Sequence, residues 1–187
     1  LWFLMHTEEK EMQQLCFEQY HQANNYTDKI TALTLLVHHQ VSGFKDLLAD
    51  YYDSWKYNAL MINKWLSIQA TAPHDGVLSE VKALMNHECF SMKNPNAVRS
   101  LVGAFCAANI TQFHADDGSG YAFLADQVLA LDALNPQVAS RMVSLLNDYK
   151  QYKPSAQAAM VDAIGRIHES KSLSANVFEI VEKALKS

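Results

Sequence analysis

The sequence predicts an all-α fold in which about ten helices pair in antiparallel fashion and stack into a superhelix. Apolar residues recur at helical spacing almost from end to end, and no stretch shows the sustained period of two that is typical of strands. Two Asn-Pro pairs lie 41 residues apart, at positions 94 and 135, close to the roughly 40 to 47 residues of a HEAT or armadillo unit. The expected architecture is therefore a helical repeat of the HEAT or armadillo kind.

Turn-forming residues divide the chain into these helices in order. Residues 1–5 are apolar and short, which indicates the end of a helix cut from a longer polypeptide, and the chain does not begin with Met. Gly76 and Gly118 each separate one helical segment from the next. Breaks between helices are expected at residues 24–26, 42–43, 57–58, 71–76, 90–94, 109–119, 134–135, 153–154 and 170–174. No long linker is visible, so residues 1–187 are expected to form one domain.

The two Asn-Pro pairs predict where two helices begin. Asn accepts hydrogen bonds from free amides at a helix start, and Pro at the first helical position lacks the N–H that has no partner there. Each start is followed by an arginine, Arg99 or Arg141. Because a helix N-terminus already carries partial positive charge, an arginine there suggests an acidic group opposite it. The alternative is that both arginines lie on solvated helix flanks.

Gln137 and Arg141 form the best candidate functional pair. They are four residues apart and therefore share a helix face. Each directly precedes an apolar position, which predicts a half-shielded place at the edge of the buried stripe. A guanidinium in such a place can form a forked, charge-assisted hydrogen bond with a carboxylate.

Charge and composition exclude several classes of function. The formal net charge is −5, whereas nucleic-acid binding needs a concentrated basic surface, so no nucleic-acid partner is expected. No apolar run approaches the length of about 18 residues that a membrane span needs, so no membrane partner is expected either. Three cysteines without close spacing (Cys16, Cys89 and Cys106) predict reduced thiols in a cytoplasmic protein.

No motif predicts a metal site or a catalytic residue. His87-Glu88-Cys89 has no second histidine at the spacing that would place two imidazoles on one helix face. No Gly-x-Ser-x-Gly turn is present. The segment 113–121 lacks the alternate acidic residues of a calcium loop and the lysine of a phosphate loop. It is read as a tight connector in which Asp117 or Ser119 caps the next helix, or as a polar rim that faces a cavity.

Five blocks of the chain, in order and with matching spacing, resemble the C-terminal domain of the bacterial aminopeptidase N family of zinc metallopeptidases. They lie at residues 21–28, 63–71, 94–105, 113–121 and 135–141. One departure is Ala97, where relatives often carry a basic residue.

The resemblance implies a non-catalytic, all-helical domain that caps the catalytic domain of the same polypeptide and closes an internal cavity for peptide substrates. Zinc in this family is held in the catalytic domain by H-E-x-x-H, beside a G-x-M-E-N motif. Neither motif occurs here, so this chain is expected to bind no cofactor and to be inactive alone. The resemblance places Gln137, Arg99 and Arg141 on the cavity wall, with Asn96, His114 and Asp117 as candidates for its rim.

Two further expectations concern partners. The surface that docks on the catalytic domain is expected to be partly apolar and to promote self-association of the isolated chain. The alternative function is an independent helical-repeat scaffold that binds a partner protein along its concave face.

Overall fold

The computed structural model describes residues 2–7 and 9–186, with side chains for all of these except Trp2 and Leu4. Leu1, part of the predicted N-terminal helix end, lies outside the described residues, and Trp2–Met5 are helical. The helices are α1 (Trp2–Met5), α2 (Lys10–Gln22), α3 (Tyr26–His38), α4 (Phe44–Trp55), α5 (Ala59–Ala70), α6 (Val77–Leu84), α7 (Pro95–Val98), α8 (Ala104–Ala108), α9 (Ile110–Phe113), α10 (Ser119–Asp132), α11 (Pro136–Val143), α12 (Pro154–His168) and α13 (Ala175–Lys186).

The described residues contain no strand, and the all-α prediction is confirmed. Helices α7 and α8 are joined without a break by a π-helical turn, Arg99–Gly103, so residues 95–108 form one helix. Counted in this way, and apart from the short α1 and α9, the described part of the chain has ten helical stretches of eight residues or more. None of its helices is both long and apolar enough to cross a membrane.

Helices that are close in sequence pack against one another. Contacts join α2 to α3, α4 to α3 and α5, α10 to α11 and α12, and α13 to α11 and α12. The buried Asn109, after α8, donates to the carbonyls of Ala70 and Ala72 at the end of α5, at 3.0 and 2.9 Å. Asp132 at the end of α10 accepts from the amide of Ser174, which precedes α13. These hydrogen bonds join parts of the chain that are 37 to 42 residues apart in sequence.

The predicted helix starts at the Asn-Pro pairs are confirmed. The Asn94 Oδ1 accepts from the amides of Asn96 and Ala97, and the Asn135 Oδ1 accepts from the amide of Val138 at 3.1 Å. Both prolines occupy the first turn, where no amide is needed.

Two helices end earlier than predicted: α6 ends at Leu84 rather than near residue 90, and α11 ends at Val143 rather than near residue 153. Beyond Val143 the chain forms 3₁₀ turns at Ser144–Leu146 and Tyr149–Gln151. The Ser140 hydroxyl donates to the Gln137 carbonyl, and the Ser144 hydroxyl donates to the Ser140 carbonyl at 2.8 Å. These hydroxyls compete with helical amides for the same acceptors, which favours the end of a helix.

The π-turn has a clear signature in the burial pattern. Buried residues between Ala97 and Asn109 recur as adjacent pairs with a period of four. An ordinary α-helix advances about 100° per residue, so residues four apart are rotated by about 40° about the helix axis. A row of such residues would turn away from the core within a few turns. One wider turn in the middle of residues 95–108 compensates for this rotation.

Candidate functional site

A groove of 480 Å³ opens between the helix of residues 95–108 and α11, and we call it the arginine groove. One wall comes from the first helix, at Pro95, Arg99, Gly103 and Ala107. The other wall comes from Asn135 and α11 with the turn after it, at Asn135, Gln137, Val138, Arg141, Met142 and Leu145. The structure thus brings Arg99, Gln137 and Arg141 together on one surface.

The first wall depends on the π-turn. Its four residues follow each other at intervals of four, and the π-turn keeps these positions on one side over more than three turns. Two of them, Gly103 and Ala107, carry almost no side chain. The groove is therefore open along this wall.

The second wall holds Gln137 and Arg141 above an apolar base. Met142 is buried and Val138 is half-buried, whereas Gln137 and Arg141 are exposed. The prediction that both polar side chains are half-shielded is wrong for this chain, because α11 is at the surface and the space in front of it is the groove.

Arg141 also lies at the opposite end of its helix from the one expected. Since α11 ends at Val143, Arg141 falls in the last turn, where the helix dipole favours a cation. An acidic partner was expected because a cation at a helix N-terminus is unfavourable. Arg141 is not at the N-terminus, so this reason does not apply to it. Within residues 2–7 and 9–186, its guanidinium has no hydrogen bond or ion pair, and it is available to a ligand.

Arg99, by contrast, is held against its own helix. Its Nε donates to the Pro95 carbonyl at 3.2 Å, and its Nη2 donates to the Asn96 Oδ1. Asn96 does not line the groove but contacts the arginine that does. These two bonds occupy one edge of the guanidinium and leave other N–H donors for a ligand.

His114 and Asp117 lie away from the arginine groove, in the connector between α9 and α10. The His114 Nδ1 lies 2.8 Å from the Tyr121 hydroxyl, and its ring stacks on Tyr152. Burial lowers the pKa of this imidazole below its ordinary value. Neither residue lines the groove, and their place at the rim of a larger cavity stays a prediction.

Asp117 directly precedes Gly118, the N-cap residue of α10, and its side chain accepts from the first amide of this helix, close to the predicted capping role. Its Oδ1 accepts from the Ser119 amide at 2.9 Å. Hydrogen bonds from the Ser119 side chain and amide hold the pKa of this carboxyl below its ordinary value.

The chemistry of the groove is that of binding. Its lining has guanidinium and amide donors over apolar side chains, and it includes no serine, cysteine, histidine or carboxylate that could act as nucleophile, acid or base. No group of three His, Cys, Asp or Glu residues within the described ranges could hold a metal ion. A ligand that suits this lining has a carboxylate next to an apolar portion.

Sequence reasoning missed Gly103, Ala107 and the π-turn. The signal was present, because Ala97, Val98, Leu101, Val102, Phe105 and Cys106 form apolar pairs at intervals of four rather than a mixture of three and four.

Comparison with known proteins places this fold in a family. A family model described as "Domain of unknown function (DUF3458_C) ARM repeats" matches residues 1–186. Aminopeptidase N of Escherichia coli strain K12 is 42% identical over 171 residues, which cover 91% of this chain and 20% of that protein. Aminopeptidase N of Haemophilus influenzae is 39% identical over 168 residues, which cover 90% and 19%.

Solved structures agree. The crystal structure of Legionella pneumophila aminopeptidase A in complex with aspartic acid matches with a TM-score of 0.89 and 32% identity, over 95% of this chain and 21% of that one. The chain thus spans about a fifth of the length of the relatives it matches. From its helical architecture and these similarities, the chain belongs to the family of C-terminal ARM-repeat domains of bacterial aminopeptidase N.

Proposed function

We propose that this chain is the non-catalytic C-terminal domain of a zinc-dependent aminopeptidase, that it caps the catalytic domain, and that the arginine groove forms part of the wall of the peptide-access cavity. The observation that carries the proposal is the convergence of Arg99, Gln137 and Arg141 on one groove, in a chain that belongs to an aminopeptidase family.

Each groove residue has a role that its chemistry suits. The Gln137 amide can donate to and accept from a peptide backbone near the substrate's first side chain. Arg99 and Arg141 bind carboxylates further along the peptide. Val138 and Met142 provide an apolar base for a substrate side chain. Asn96, His114 and Asp117 form the rim in this proposal.

Zinc and the hydrolysis of the N-terminal peptide bond belong to the catalytic domain of the parent enzyme. The described residues of this chain offer no ligand group that fits zinc, so no step of the reaction is assigned to them. A cytoplasmic location is part of the proposal, supported by three cysteines that form no disulfide. Self-association of the isolated chain through exposed apolar side chains also stays a prediction.

Filling the groove tests the proposal. Gly103→Leu adds a side chain to the groove wall, and a Cβ at this position meets only ordinary contacts at 3.7 and 3.9 Å. In the full-length enzyme we expect KM for peptides of four or more residues to rise at least about fivefold, or about 1 kcal/mol. Steady-state kinetics with a peptide series and with an aminoacyl amide measure this effect.

Gly165→Leu is the matched control, because Gly165 lies on α12 outside the groove and a Cβ there meets nothing within 4 Å. It is expected to leave both KM values unchanged. If Gly103→Leu also leaves peptide KM unchanged, the groove does not face the substrate. The alternative scaffold function, in which the groove binds a partner protein, then gains support.

The isolated chain is expected to fold, to bind no stoichiometric zinc and to release no amino acid from an aminoacyl amide. The reason is that its helices bury a continuous core while its described residues hold no metal-ligand group. Metal analysis of protein purified without added zinc and an amide assay check this prediction. Near-equimolar zinc or metal-dependent turnover contradicts it.

A further inference from the structure

We infer that Ser67 is a positioning residue for the arginine groove: its hydroxyl holds the π-turn that keeps Arg99 and Gly103 on the groove wall. This inference rests on the proposed function for the part that concerns substrate. Ser67 does not line the groove, and its effect passes through the backbone of the neighbouring helix.

The contact is direct. The Ser67 Oγ donates to the carbonyl of Ser100, inside the π-turn, at 2.9 Å. Ser67 is half-buried on α5, and α5 packs against this turn. At a π-turn the regular series of i to i+4 hydrogen bonds is interrupted, and a side-chain donor from a neighbouring helix can satisfy a carbonyl that the interruption affects.

The turn decides which residues reach the groove. An ordinary α-helical turn would hold one residue fewer than the π-turn. The two halves of the helix would then be rotated by about 100° relative to each other. The half with Gly103 and Ala107 is held by Phe105 and Cys106, both buried in the core. Pro95 and Arg99 could then no longer share a wall with them.

Buried side chains next to the turn and within it support the same role for Ser67. Val98 directly before the turn and Val102 inside it are both fully buried, so their packing favours the wider turn, and the Ser67 hydroxyl favours it by a hydrogen bond. Loss of the hydroxyl removes the polar part of this support without opening a large cavity.

The test uses full-length enzyme with Ser67→Ala. We expect KM for peptides with a free C-terminal carboxylate to rise about three- to tenfold, while kcat and the KM of an aminoacyl amide stay unchanged. Ser67→Thr keeps a hydroxyl and is expected to restore the peptide KM. In an Arg99→Ala background, Ser67→Ala should produce no further rise, because both changes act on the same contact.

Thr34→Val is the control, because Thr34 is also half-buried and donates to a carbonyl of its own helix, Ile30, at 2.7 Å. It removes a hydroxyl of the same kind far from the turn and is expected to leave peptide KM unchanged. If Ser67→Ala lowers kcat equally for both substrates, its role is structural and the inference is overturned.

Failure of the inference and failure of the proposed function give different results. If Arg99→Ala raises peptide KM and Ser67→Ala does not, the groove binds substrate but Ser67 does not position it. If Arg99→Ala has no effect, the substrate role of Arg99 fails. Hydrogen exchange of the amides of residues 99–104 then still tests whether Ser67 holds the π-turn. Faster exchange in Ser67→Ala supports this role, and unchanged exchange contradicts it.

Discussion

Gly120→Ala is expected to lower the free energy of unfolding by about 3 kcal/mol or more. Gly120 is buried in the first turn of α10, where the backbone of Phe113 in α9 crosses it. A Cβ at this position would lie 2.2 Å from the Phe113 carbonyl oxygen and 2.8 Å from its carbon. These are backbone atoms, so the clash is relieved only if α9 and α10 move apart.

Urea denaturation of the domain measures this loss, with Gly165→Ala as a control of opposite sign. Gly165 lies inside α12, and a Cβ there meets nothing within 4 Å. Alanine is a better helix former than glycine by about 0.5–1 kcal/mol, so this variant is expected to be more stable. A Gly120→Ala variant as stable as the parent would show that α9 and α10 are not in this close contact in solution.

Arg141→Ala in the full-length enzyme is expected to raise KM about tenfold for peptides with a free carboxyl terminus, with little change in kcat. An interaction present equally in the ground state and the transition state has this kinetic signature when it is lost. A charge-assisted bond contributes about 1.5 to 3 kcal/mol, and water around the exposed guanidinium reduces the effect toward the lower value. Aminoacyl amides lack the carboxylate, and their KM is expected to change little.

Two further variants define what Arg141 contributes. Arg141→Lys keeps the charge but loses the forked pair of donors, so we expect an intermediate KM. Arg166→Ala removes a guanidinium that already pairs with Asp126 outside the groove, at 2.9 Å, and should leave peptide KM unchanged. If Arg141→Ala lowers kcat equally for peptides and amides, Arg141 instead holds the domains in register.

Helix starts are the features most directly predictable from sequence. Asn94-Pro95 and Asn135-Pro136 begin helices in the structure because the cap depends on a side chain and amides only two or three residues away. Asp117 accepts from the first amide of α10 over a similarly short distance in sequence. The end of α11 was harder to predict, because its apolar pattern continues past Val143 while the serine hydroxyls that favour its end give a weaker signal.

The sequence by itself therefore determined the all-α class, the main helix starts and the choice of Arg99, Gln137 and Arg141 as candidate residues. Tertiary structure alone decided that these three share a groove, that Arg141 has no partner in the described chain, and that His114 and Asp117 lie elsewhere. The physical reason is the separation in sequence between the residues that determine each feature. A cap or a helical period is set by neighbours within one or two turns. The groove depends on how residues 95–108 pack on α5 and on where α11 lies opposite them, across large separations in sequence.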